Sequence, residues 1–102
     1  MITPKRRAEL RAEAHHLQPT VHVGQQGVTP TLIQSLDDAL RTRELVKVAL
    51  GKQLDATPNE AADTLATAAN ADVVQVIGRK VTLYRENPEL EKRAGELPPW
   101  RK

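Results

Sequence analysis

Three Thr-Pro pairs, Thr3-Pro4, Thr29-Pro30 and Thr57-Pro58, divide this 102-residue chain. A threonine hydroxyl caps a helix by accepting a backbone N–H. Proline lacks an N–H and holds φ near the helical value, so it fits the first helical position. Each pair therefore predicts a helix start. Behind the first, Leu10, Ala14 and Leu17 fall on one stripe and Pro19 closes the pattern. Behind the second, Leu32, Ile33, Leu36, Ala39 and Leu40 form an apolar side. The third, "TPNE" from Thr57 to Glu60, has capping-box spacing and opens an alanine-rich run that fades near Asn70.

The intervening segments read as strands. In "TVHV", Val21 and Val23 share one face and His22 takes the other. "ELVKVAL", Glu44 to Leu50, places Val46, Val48 and Leu50 opposite Leu45, Lys47 and Ala49. In "DVVQVIGRKVTLYR", Asp72 to Arg85, two β-rich runs flank Gly78-Arg79, which suits a type II′ hairpin turn. The implied register sets Ile77 opposite Lys80, Val76 opposite Val81, and Val74 opposite Leu83. Val74, Val76, Val81 and Leu83 would then share a buried face. Gln75, Lys80, Thr82, Tyr84, Val73 and Ile77 would point the other way. The whole reads as an α+β domain of order αβαβαββ, a two-layer sandwich in which helices two and three cover a four-stranded mixed sheet. The extra N-terminal helix covers part of the other face. The expected domain is 1–85, with 86–102, "ENPELEKRAGELPPWRK", as a flexible C-terminal tail.

Composition removes several functional classes. Without cysteine, neither a disulfide framework nor a thiolate zinc site is possible. No apolar run approaches the ~20 residues of a membrane span, and "MITPKRRAEL" lacks the apolar centre of a secretory signal, so a cytoplasmic location and no membrane partner are expected. The formal charge of +2 is unevenly distributed. Residues 1–28 carry +2, 29–72 carry −3, 73–85 carry +3, and the rest balance. Basic ends around an acidic middle favour a face that meets a polyanion.

The loop in "VHVGQQGVTP" suits that partner. Gly24 and Gly27 follow a strand and precede a capped helix start, where backbone N–H groups and the positive end of the helix dipole favour phosphate. Glycines let a sugar-phosphate backbone approach without meeting Cβ atoms, as in the GxxG loop of KH domains. The plainer alternative is that both glycines only supply permissive dihedrals in a tight turn. Gln25 and Gln26 add amide donors but no charge. Thr29 stands at the cap.

"VGQQGVTP", "ELVKVAL" and "VVQVIGRKVTLYR", in this order and spacing, resemble the CRM domain family, named for chloroplast RNA splicing and ribosome maturation. The resemblance is nearest to its stand-alone bacterial, YhbY-like members and covers about residues 3–85. It implies an RNA-binding module with a fold similar to the C-terminal domain of translation initiation factor three, associated with precursors of the large ribosomal subunit. The family's GxxG loop maps onto Gly24, Gln25, Gln26 and Gly27, and its closing hairpin onto Gly78, Arg79, Lys80 and on to Tyr84-Arg85. GxxG loops that bind RNA often carry a basic residue between the glycines, and this one has none. Charge must then come from neighbours: Lys5, Arg6, Arg7 and Arg11 on the first helix, Lys47 on the second strand, and Arg79, Lys80 and Arg85 in the hairpin.

Other features carry less. His15, His16 and His22 lack partners at ligand spacing, so no metal or cofactor is expected. Asp37-Asp38 could suggest a nuclease, but adjacent helical carboxylates diverge. Tyr84 packs or stacks on a base, and Trp100 is assigned to the tail. The expected function is a non-catalytic monomer that binds ribosomal RNA of large-subunit precursors, with no small-molecule substrate. The alternatives are a protein-interaction adaptor on the ribosome without direct RNA contact and, with no convergent nucleophile, base or metal set behind it, an RNA-modifying or cleaving enzyme.

Overall fold

A computed structural model of the chain describes residues 3–86. The tail expected at 86–102 lies outside the described residues apart from Glu86, and so does Trp100. Helices α1 (Pro4–Ala14), α2 (Pro30–Arg43) and α3 (Pro58–Ala69) each begin at a Thr-Pro pair. Thr3, Thr29 and Thr57 are the N-caps, and their hydroxyls accept from Arg6, Leu32 and Glu60 N–H at 3.1, 3.1 and 3.2 Å. The capping box of α3 takes a variant form, because the Glu60 carboxylate accepts from the Thr57 hydroxyl at 3.0 Å. Asn70 closes α3 in the left-handed conformation that short polar side chains tolerate. Glu44, fully buried at φ 64, ends α2.

The strands are β1 (Val21–Val23), β2 (Leu45–Leu50), β3 (Asp72–Ile77) and β4 (Lys80–Tyr84), in sheet order β1-β2-β4-β3. β1 lies parallel to β2, and the remaining pairs are antiparallel. Alternation along β2 separates two cores. Val46, Val48 and Leu50 join Val21, Val23, Val81 and Leu83 beneath Leu36 and Leu40 of α2 and Ala61, Ala62, Leu65 and Ala69 of α3. On the opposite face Leu10 of α1 meets Leu45, Val74 and Tyr84, with Leu17 packed alongside. The first helix thus covers the second face, as its stripe predicts.

The hairpin departs from the expected register at one place. Ile77 faces Lys80 and Val76 faces Val81, but Val73, not Val74, faces Leu83, because the ladder shifts between Val73 and Gln75. A strict ladder would set Asp72 on the same face as Val76, inside the α2/α3 core. The bulge moves Asp72 off that face, brings Val73 to the core and turns Val74 toward α1, where it is buried. Gly78 alone in the turn has positive φ, as the type II′ expectation requires of its first central residue.

Leu10 joins α1 to the sheet and is fully buried. Leu10→Ala should cost about 2–5 kcal/mol by loss of transfer energy and creation of a cavity. Urea unfolding of the variant checks this, with a lowered midpoint expected.

Candidate nucleic-acid interface

The parallel pairing of β1 with β2 brings Val23 beside Leu50, so the loop after β1 and the loop after β2 leave the sheet at the same end. β4 runs antiparallel to β2 with Lys80 opposite Ala49, so the Gly78-Arg79 turn emerges there too. Hydrogen bonds tie the three loops together. Gly51 N–H donates to Val23 O at 2.8 Å, Leu50 N–H to Arg79 O at 2.7 Å, and Arg79 Nη1 to Gly51 O at 3.0 Å. A Cβ on Gly51 would lie 3.0 Å from Val23 O, so a glycine is what lets these two loops touch.

Within the first loop, Gly27 N–H donates to Gly24 O at 3.0 Å and closes a tight turn. The N–H groups of Gln25, Gln26 and Val28 donate to no acceptor among the described residues. The two glycines are not equivalent. Gly27 has φ +75, where a side chain is strained, and this is the permissive-dihedral role considered for both. Gly24 has no positive φ, and a Cβ there would meet nothing within 4 Å. The fold itself makes no demand for glycine at position 24.

Two concavities flank the loop. One, of about 450 Å³, is bounded by His22, the loop and the cap and first two turns of α2, where Thr29, Thr31 and Ser35 present hydroxyls and no carboxylate lines it. The other, of about 380 Å³, lies toward α3. Thr29 uses its oxygen to cap α2, which leaves its O–H able to donate.

The basic candidates divide into two groups. Arg79 and Lys80 are exposed at the loop end of the sheet. Lys5, Arg6, Arg7 and Arg85 are not beside them. Arg6 reaches Tyr84 Oη at 3.4 Å, and Tyr84 ends β4 about 13 Å along the strand from Lys80 at ~3.3 Å per residue, with Arg85 one residue beyond it. Besides Arg6 and Arg79, three further candidates make internal bonds. Arg7 donates to the carbonyls of Val73 and Val74 at the bulge. Lys47 Nζ donates to Ala14 O at 3.0 Å and Leu17 O at 3.4 Å, satisfying carbonyls at the end of α1. Arg85 binds Asp37 Oδ1 at 2.8 Å and Ala69 O at 2.7 Å, joining α2 to the end of α3. Lys47 and Lys80 do project from the same sheet face, as alternation predicts. Lys5 and Arg11 are exposed on α1.

Lys52 is a residue the sequence reading passes over. It is exposed directly after Gly51, at the same end as Arg79 and Lys80. The signal was the glycine-lysine pair ending an alternating strand.

The carboxylates considered for nuclease chemistry are engaged elsewhere. Asp37 pairs with Arg85, while a hydrogen bond from Arg41 holds the exposed Asp38 carboxyl below its ordinary pKa. Among the described residues no group of three or more His, Cys, Asp or Glu could hold a metal, and no helix is long and apolar enough to cross a membrane.

The sequence profile of the CRS1/YhbY (CRM) domain matches residues 2–85. The chain belongs to the CRM domain family. It is 37% identical over 89 residues to the probable RNA-binding protein YqeI of Bacillus subtilis, covering 87% of this chain and 93% of that one. It is 38% identical over 99 residues to the probable RNA-binding protein MJ0652 of Methanocaldococcus jannaschii, covering 95% of this chain and 73% of the relative. Its fold is similar to the solution structure of the hypothetical protein SAV1595 from Staphylococcus aureus, with TM-score 0.75 and 36% identity over 96% of this chain and all of that one. In this chain the domain is a four-stranded mixed sheet with three helices, and the Gly24–Gly27 loop and the hairpin turn lie at one end.

The inequivalence of the two glycines predicts unequal stability effects. Gly27→Ala should cost about 1–2 kcal/mol, because its backbone is left-handed. Gly24→Ala should leave stability unchanged or raise it by up to about 1 kcal/mol through the unfolded state. Thermal unfolding of the two variants side by side gives the comparison.

Proposed function

We propose that this CRM domain binds RNA without catalysing a reaction on it, through the sheet end that carries Gly24, Gln25, Gln26, Gly27 and Thr29. The observation that carries this reading is the loop itself. Its amides at Gln25, Gln26 and Val28 have no internal acceptor among the described residues, and Gly24 is a glycine that neither sterics nor φ requires. Both features are accounted for if a phosphate-bearing backbone passes close over the loop. Lys52, Arg79 and Lys80 supply the positive charge the loop lacks. RNA-binding names borne by YqeI and MJ0652 agree with the reading.

Backbone amides and lysines recognise phosphates, so binding would depend little on base identity over most of the contact. The proposed target is ribosomal RNA of large-subunit precursors, which the family resemblance implies, and the proposed unit is a cytoplasmic monomer of residues 1–85 followed by a tail. Arg7, Lys47 and Arg85 serve the fold in this scheme, and their loss would act through stability. Lys5, Arg6 and Arg11 would contribute only where a long RNA extends around α1.

Binding should weaken steeply with salt. Three to six phosphates contacted through single-stranded RNA give a log–log slope of about −2 to −4, at ~0.7 per phosphate. Replacing Arg79 and Lys80 together by alanine should make that slope shallower by about 1.4. Fluorescence anisotropy across a salt series, with circular dichroism to confirm folding, reads both. A salt-independent affinity would favour the adaptor, and metal-dependent RNA turnover would favour an enzyme.

A further inference from the structure

The two concavities beside the GxxG loop differ in chemistry. The one toward α2 is lined by hydroxyls, amides and His22, with no acidic residue. The one toward α3 has an apolar floor of Val28, Leu54, Ala56 and Ala61, and its rim carries the Gln26 amide, the Thr64 hydroxyl and the Asp55 carboxylate. Leu54 approaches the loop directly, since its Cδ1 lies 3.8 Å from where a Gly27 Cβ would stand.

Asp55 is the informative residue. It is exposed and makes no hydrogen bond or ion pair with the described residues. A carboxylate there repels phosphate, so the slot toward α3 is unsuited to the RNA backbone even though Gln25, Gln26 and Gly27 border both sides. It is suited to a group with flat apolar faces and N–H donors on its edge. Thr64 donates its hydroxyl hydrogen to Glu60 O at 3.0 Å, so its oxygen remains as an acceptor. The rim therefore offers acceptors from Asp55 and Thr64 and an amide from Gln26.

We propose that the slot toward α3 takes one unstacked RNA base, and that Asp55 makes guanine the preferred one. This rests on the RNA-binding reading. The loop then works as a divider, with the sugar-phosphate chain on the Gly24 and α2 side and the base across Gly27 on the Leu54 side. Guanine is favoured because its N1–H and N2–H donors lie side by side and match the two oxygens of a carboxylate. Cytosine and adenine offer an amino group next to an acceptor, and uracil offers a lone N3–H between two carbonyls. Without an aromatic ring in the slot, the base faces gain only aliphatic contact, so discrimination falls on the edge.

The test uses hairpin RNAs with a loop of seven uridines, the same loop with one central guanosine, and the same loop with inosine, which lacks the N2 amino group. Affinities for the full chain are measured by fluorescence anisotropy at one salt concentration. Wild type should bind the guanosine loop about fivefold or more tightly than the uridine loop, with inosine in between. In Asp55→Asn the guanosine-to-uridine ratio should fall to about one, while Gly24→Asp should weaken all three RNAs together. Equal binding of guanosine and uridine loops by the wild type overturns the base slot and leaves the RNA-binding reading standing. A guanosine preference that survives Asp55→Asn overturns the role of Asp55. If wild type binds none of the three hairpins, the RNA-binding reading and the slot fall together.

Discussion

The position of β2 between β1 and β4 is the constraint on which the loop end of the sheet depends. One strand serves as the parallel partner of β1 and the antiparallel partner of β4, so its last residues meet the exit of one and the entry of the other. The bonds from Gly51 N–H to Val23 O and from Arg79 Nη1 to Gly51 O then hold three loops in fixed relation. The apolar face of β2 lies under α2 and α3, and a one-residue slip would exchange it for Leu45, Lys47 and Ala49. Core packing and loop placement are consequences of the same register.

Charge has two uses in this molecule. Arg7, Lys47 and Arg85 donate to backbone carbonyl groups at the bulge and at the ends of α1 and α3. Long side chains with several donors are suited to this, since their stems cover apolar surface while the heads bond. The residues beside the GxxG loop, Lys52 and Lys80, have no such internal acceptor among the described residues and stay exposed. Burial and bonding separate the two groups where a count of basic residues does not.

Much of the fold is legible in the sequence because its signals are local. A Thr-Pro pair and the N–H three residues onward form a cap irrespective of the rest of the chain, so all three helix starts are found. The bulge is not legible. It arises because strict alternation would carry Asp72 into a core that exists only once α2 and α3 have packed. The same limit applies to the basic candidates. Arg7 meets Val73 across 66 residues, Lys47 meets Ala14 across 33, and Arg85 meets Asp37 across 48. The glycine spacing points to the loop, but only the backbone angles separate Gly27, which the turn requires, from Gly24, which it does not.

The kink in β3 also bears on how copies of the chain behave in company. β3 is an outer strand, and an outer strand with a regular row of open amides and carbonyls invites another molecule to extend the sheet. Here the row is broken at Val74, and the Arg7 guanidinium already holds the carbonyls on either side of the break. Lateral polymerisation along that margin is thereby discouraged, which leaves the opposite, three-residue margin at β1 as the less guarded one.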